Sequence, residues 1–213
     1  GASTPAFGQG LASLKNWMVG SPANRDVFTD THSLIPTSYR FLLETVEGSR
    51  IAKKGIGDLC SGGTDPANCT LTPALANGVY KIDGNLSLNG AGYTFPANKN
   101  FVILINGNLN INEKITVPIG STVIFSASGS ITVNKTIGET ASSTTPTIEG
   151  LYSADVNFIA DGNNSCPTVD LRLNIAGSVV ANAGRIGGIF LNKRNMCTGN
   201  FSNPSVSFIE RPD

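Results

Sequence analysis

Set Gly107 at zero, and apolar side chains fall at −6, −4, −2, +2 and +4: Phe101, Ile103, Ile105, Leu109 and Ile111. The same ruler laid on Gly129 finds Val123, Phe125, Ala127, Ile131 and Val133. On Gly84 it finds Tyr80, Ile82, Leu86 and Leu88. The step from Gly84 to Gly107 is almost the same as that from Gly107 to Gly129. A further match at Gly177 (Leu171, Leu173, Ile175, Val179, Ala181) lies two such steps on, and a weaker copy centred on Ala154 (Ile148, Tyr152, Val156, Phe158) fills the gap. Alternation of period two on both sides of a small residue describes two half-buried strands joined by a bend. Self-similarity at about 22–25 residues over five copies is the mark of a solenoid, in which each unit buries its apolar face only against the next.

A third apolar patch follows the paired strands: Tyr93 and Phe95, then Ile115 and Val117, then Ile137, then Ile186. Three short strands per repeat predict an all-β, right-handed parallel β-helix with triangular rungs of about 22–25 residues. Its inward ladders are Tyr80/Ile103/Phe125, Ile82/Ile105/Ala127, Leu86/Leu109/Ile131 and Leu88/Ile111/Val133. Asp83-Gly84 and Asn106-Gly107 are also two-residue hairpin signals, so an antiparallel sandwich is the competing fold. The near-constant repeat favours the solenoid. Polar stretches at 138–147 and 161–170 read as corner loops.

Residues 1–59 do not carry the repeat and are expected to form an N-terminal arm, with the β-helix domain at 60–213. Leu11, Leu14 and Met18, beside Trp17, fit a short helix. Tyr39, Leu42, Leu43 and Val46, after Pro36-Thr-Ser38 and before Gly48, fit a second of about ten residues. Helices this short need tertiary support. Trp17, Tyr39, Leu42, Leu43 and Val46 are therefore expected to dock on the open first rung or on a neighbouring subunit.

Four cysteines lie in turn-rich sequence with no C-x-x-C spacing, and a lone histidine completes no common zinc set. The expected pairs are Cys60–Cys69, closing a short loop, and by elimination Cys166–Cys197; they imply an oxidising compartment. Charged residues are 14% of the chain and balance to zero, which argues against nucleic acid or an anionic membrane as partner. No apolar run reaches the length of a membrane span.

Catalytic β-helices need clustered carboxylates. Here Asp83, Glu113, Glu139, Glu149, Asp155, Asp161 and Asp170 are scattered over the ruler, with Asp83 at −1, Asp155 at +1 and Glu113 at +6. Asp155, on an outward strand position, reads as an exposed charge that discourages edge pairing. His32 has no nucleophile motif around it. Asn85, Asn108, Asn110, Asn112, Asn134, Asn157 and Asn174 fit left-handed corners and amide ladders, with a sugar-binding face as the alternative.

The run Ile105-Asn-Gly-Asn-Leu-Asn-Ile-Asn-Glu-Lys-Ile-Thr-Val-Pro118, followed by Gly150-Leu-Tyr-Ser-Ala-Asp155 and Phe208-Ile-Glu-Arg-Pro-Asp213, resembles a group of uncharacterised secreted or surface β-helix proteins of uncultivated bacteria. The resemblance covers residues 77–213 and implies the fold; no activity comes with it. More loosely the chain resembles the polymer-forming bactofilin scaffolds, although those are cytoplasmic with shorter rungs, and the cysteines depart from them. The expectation is a non-enzymatic extracellular or cell-surface building block without cofactor, forming a homo-oligomer or homopolymer. The alternative is a carbohydrate-binding or polysaccharide-cleaving β-helix, with cell-surface glycans as partner.

Overall fold

The structure, a computed structural model, describes residues 37–61, 63–163, 165–181, 188–197 and 203–211. Strands β1 (Lys53–Lys54), β2 (Cys60–Ser61) and β3 (Thr70–Leu71) lead into a parallel β-solenoid of about five turns. Its long sheet is built from β4 (Gly78–Asp83), β7 (Asn100–Asn106), β10 (Thr122–Ala127), β12 (Ile148–Ala154), β14 (Leu173–Val180) and β16 (Val206–Ile209). The second side stacks β5 (Leu86–Leu88), β8 (Leu109–Ile111), β11 (Ile131–Val133), β13 (Phe158–Ala160) and β15 (Phe190–Asn192). The short third side is β6 (Tyr93–Thr94) and β9 (Ile115–Thr116).

Through the first three full turns the register follows the sequence ruler. Tyr80 pairs Ile103 and Ile82 pairs Ile105, and Phe125 and Ala127 then pair the same two isoleucines. Leu86/Leu109/Ile131 and Leu88/Ile111/Val133 stack on the second side. All of these side chains are buried. Among the described residues, antiparallel contact is confined to β2 with β3 and a Glu139–Arg172 bridge. The sandwich alternative is thereby excluded.

The fourth turn departs from the ruler. Ala127 pairs Ala154, so the position equivalent to Gly129 is Val156 and not Ala154. Gly150 pairs Gly177, which places Gly177 six positions before the centre of its turn and not at it. Leu173 then pairs Val206, and Phe158 pairs Phe190, each a longer step along the chain than any before it on its own side of the solenoid. The rung length read from the sequence thus holds for two spacings and grows afterwards. Extra residues sit in surface loops, where chain length costs little. Ile148 stacks on Ile115 of the third side and runs straight into β12, so Ile137 is not the third-side partner. Ile186 lies outside the described residues.

Pairing also starts earlier than residue 60. Lys53 and Lys54 lie opposite Val79 and Tyr80, and Cys69 bridges Leu88. This partial turn is closed below by helix α2 (Ile56–Leu59) and by Leu59, Leu71 and Leu75, each at most 2% exposed.

Helix α1 (Ser38–Gly48) is the one anticipated around Tyr39–Val46. Thr37 caps it, its hydroxyl accepting from the Arg40 amide at 3.2 Å. Contrary to the expectation of docking on the first rung, it does not cover that rung, which α2 with Leu59, Leu71 and Leu75 already covers. It lies instead on the outer flank of the long sheet, where Tyr39 and Val46 are buried against Val79 and Leu104, with Leu42, Leu43 and Val102 beside them. The fit is one of length. Eleven residues of helix span about 16 Å, and the four strands β4, β7, β10 and β12 span roughly 14 Å. Trp17 and the 11–18 stretch lie outside the described residues, as does His32.

Candidate functional site

The carboxylates singled out in the sequence are dispersed, and most hold the fold together. Asp155 is no exposed charge: it is 5% exposed, and its Oδ1 accepts the Tyr39 amide at 3.2 Å. It follows directly on β12, which ends at Ala154, and α1 roofs it, so that its charge meets the positive end of the helix. The neighbouring Ser153 donates to Ser38 at 2.8 Å. Asp155→Ala is expected to cost about 1–2 kcal/mol and to free α1. Hydrogen exchange should show lost protection in Ser38–Gly48 while β7 and β10 keep theirs.

Asp170 is buried among loops. It accepts the amides of Asn163 at 3.0 Å and Asn195 at 2.8 Å. Arg194 reaches the carbonyls of Leu171 at 2.8 Å and Asn134 at 2.9 Å. Burial lowers its pKa to about 10, opposed by Asp170 and Asp161, so it stays charged at neutral pH. The Cys166–Cys197 disulfide joins the same two loops, and Cys60–Cys69 closes the first partial turn, both as paired from the sequence. Glu139 meets Lys114, and Glu149 accepts the Val117 amide at 2.7 Å and pairs Arg211 at 3.5 Å. Among the described residues no group of three or more His, Cys, Asp or Glu gathers to hold a metal.

The asparagines form ladders between turns. Asn134 donates to Asn112 and Asn112 to Asn89, both at 2.9 Å, while Asn108 donates to Asn85 at 3.1 Å. Asn174, which is buried, anchors the 138–147 loop through the carbonyls of Ser143 and Thr145. Asn110 donates to Ser87 and Asn157 accepts the Ile189 amide, so these amides are engaged within the fold, with each other or with neighbouring turns.

Glu113 is the exception. It is 2% exposed, its carboxylate lies where a side chain on Gly90 would go, and one oxygen has no hydrogen-bond partner among the described residues. It borders a cleft of about 340 Å³ with Thr70, Pro73, Gly92 and Tyr93. Burial raises its pKa above the ordinary 4.5, against the pull of the Gly92 backbone. The folded chain therefore holds this proton to higher pH than the unfolded chain does. The group's contribution is full in acid and is lost as pH rises through the folded pKa. Glu113→Gln is expected to remove that slope and to stabilise the protein at pH 7 by about 1 kcal/mol, read from urea midpoints between pH 4 and 8.

The two ends of the solenoid differ. At the N-terminal end the edge strand β1 is two residues long and both are lysines. Lys53 pairs Glu47 at 3.1 Å, and the Lys54 ammonium donates to the carbonyls of Ala76 and Asn77 at 3.2 and 2.8 Å. Such an edge resists pairing. At the other end, no described strand pairs the outer edge of β16. Phe190 stacks on Phe158 at 5.3 Å, and Phe208 leans on Phe190 at 5.8 Å. These two rings, which end the inward ladders of Phe158 and Ile175, are 37% and 55% exposed. Beside this end, Arg211 donates to the Pro118 carbonyl at 2.9 Å and borders a cleft of about 260 Å³ with Ser121, Thr122, Gly150, Gly177 and Glu210.

The chain is therefore a parallel β-solenoid protein with two disulfides, in which the described residues leave the two ends unlike each other. No protein-family model, curated protein or solved structure matches it. No described helix is long and apolar enough to cross a membrane.

Proposed function

We propose that the protein is a non-enzymatic extracellular structural protein, a subunit of a cell-surface assembly or filament built from β-solenoid modules. The observation that carries this reading is the open end: an uncharged edge strand and two half-exposed phenylalanines on a solenoid closed elsewhere by a cap, a flanking helix and two disulfides. Solenoid ends of this kind are covered or joined. The use of Asp155, Asp170, Glu139 and Glu149 in structural contacts supports it further. So does a surface low in charge, while the disulfides support an oxidising location.

Electron microscopy and light scattering of the oxidised chain over a range of concentrations test it. Paired, ringed or filamentous particles are expected. Single particles at every concentration and salt defeat the proposal. Retention on a glycan array or release of reducing sugar replaces it with the carbohydrate reading, for which the polar cleft beside Arg211 is the place to look.

A further inference from the structure

We infer that two copies of this chain join tail to tail, with β16 of each copy pairing antiparallel with β16 of the other across a two-fold axis through Ser207. The inference rests on the assembly reading above and gives it a partner and a geometry.

Head-to-tail stacking needs an open edge at both ends, and among the described residues the N-terminal end offers only the two-residue β1. Its edge is two engaged lysines, and Leu59, Leu71 and Leu75 are already covered. What β16 can meet on another copy is a second β16. Identical strands related by a two-fold axis run antiparallel, so the test is whether Val206–Ile209 is complementary to itself reversed.

It is, at the level of backbone, side chain and charge. The Leu173 amide donates to the Ser205 carbonyl at 2.9 Å, so residue 205 turns its backbone groups toward β14. Alternation along the strand then turns the N–H and C=O of Val206 and Phe208 to the open edge. With Ser207 facing Ser207, Val206 of one copy lies opposite Phe208 of the other, and each such pair exchanges two hydrogen bonds. Four main-chain hydrogen bonds form, and every outward-facing group of Val206 and Phe208 is used. The same residues point into the core, where Val206 continues the Leu173 ladder and Phe208 the Ile175 ladder. The cross-strand pairs are therefore apolar, valine on phenylalanine, and they bring the two core ends together with Phe190 at the side. No charge lies within Val206–Ile209. The chain's zero formal charge adds no net repulsion between copies.

The end face is small. Strands of eight, three and four residues bound it, so at about 3.3 Å per residue it is roughly 20 Å across. That covers on the order of 700 Å² in total, well under the standard interface. The pair is accordingly a weak one, with a Kd on the order of 10–100 μM. It is also self-limiting: a tail-to-tail pair presents two closed ends, so any longer assembly grows through flanks and not by stacking.

Sedimentation of the oxidised 213-residue chain between 1 and 500 μM is expected to show monomer passing to dimer. Phe208→Lys, at a site already half exposed, should remain monomeric at 500 μM with an unchanged circular dichroism spectrum. Val206→Pro removes an outward N–H and leaves the residues that bond β14 untouched, and should do the same. Ser207→Cys places two thiols at a close non-hydrogen-bonded pair. Under mild oxidation it should give a dimer whose peptide map shows a 207–207 disulfide. Monomer at all concentrations together with no 207–207 disulfide overturns both this geometry and the assembly reading. Association that survives Phe208→Lys, with no 207–207 disulfide, overturns the tail-to-tail geometry alone.

Discussion

Phe125→Ala is expected to lower stability by about 3–5 kcal/mol, the upper range for emptying a packed aromatic site. The ring is fully buried and lies parallel to Tyr152, with centroids 5.4 Å apart and 2° between planes. It meets Phe95 edge-on at 6.1 Å and continues the ladder above Ile103. The cavity has little room to collapse, because its neighbours above and below are fixed by strand pairing on both sides. The aromatic pairs lost add about 0.5–1.5 kcal/mol each to the area term. Phe125 sits in the middle of the stack, where the turns below and above depend on one interface. A solenoid is held by nearest-neighbour contacts. Urea unfolding followed by far-ultraviolet circular dichroism should show a lower midpoint, and a reduced slope if the two halves begin to melt separately. A loss under about 1 kcal/mol would mean that the core is looser than its ladders imply.

Gly177→Ala is expected to be nearly as damaging, for a different reason. Gly177 has φ of +131°, and a Cβ there would stand 2.1 Å from the carbonyl oxygen of Gly150, its partner in the turn below. An L-residue incurs backbone strain of about 1–3 kcal/mol, and the contact is with backbone that has no side chain to rotate away. The sum is at least about 3 kcal/mol, delivered to β14 and β16. Gly150→Ala shares the positive φ, at +124°, but its Cβ would meet the Val123 carbonyl at 3.0 Å, so a smaller loss is expected. Limited proteolysis should cut the segment beyond residue 173 first in Gly177→Ala, the fragment separating on reduction of Cys166–Cys197, while α1 and β4 to β10 stay protected. Equal behaviour of the two variants would show that strain, and not the close approach, sets the cost.

Phe101, Ile103 and Ile105, with their counterparts in the turns on either side, made the solenoid legible without coordinates. Alternation says which side chains point inward, and the nearly constant step from Gly84 to Gly107 to Gly129 says which of them stack. The α1 helix and both disulfides were likewise readable, since each follows from local spacing or from loop composition. The misplaced centres at Ala154 and Gly177 have a common cause. Both are displaced by an even number of positions, two and six, and an even slip leaves every apolar side chain on the same face. Alternation cannot detect such a slip, and the loop at 138–147 had removed the constant spacing that would have.

The chain alone determined the class of fold, the inward ladders of the first three full turns and the pairing of its cysteines, because these depend on neighbours within one repeat or on a spacing that repeats. Tertiary structure alone decided that Asp155 holds Tyr39, 116 positions away in sequence, that among the described residues no strand pairs the outer edge of β16, and that Glu113 is shut in beside Gly90. Such facts arise where different turns and flanking pieces come to lie together, and no periodic pattern along the chain records that.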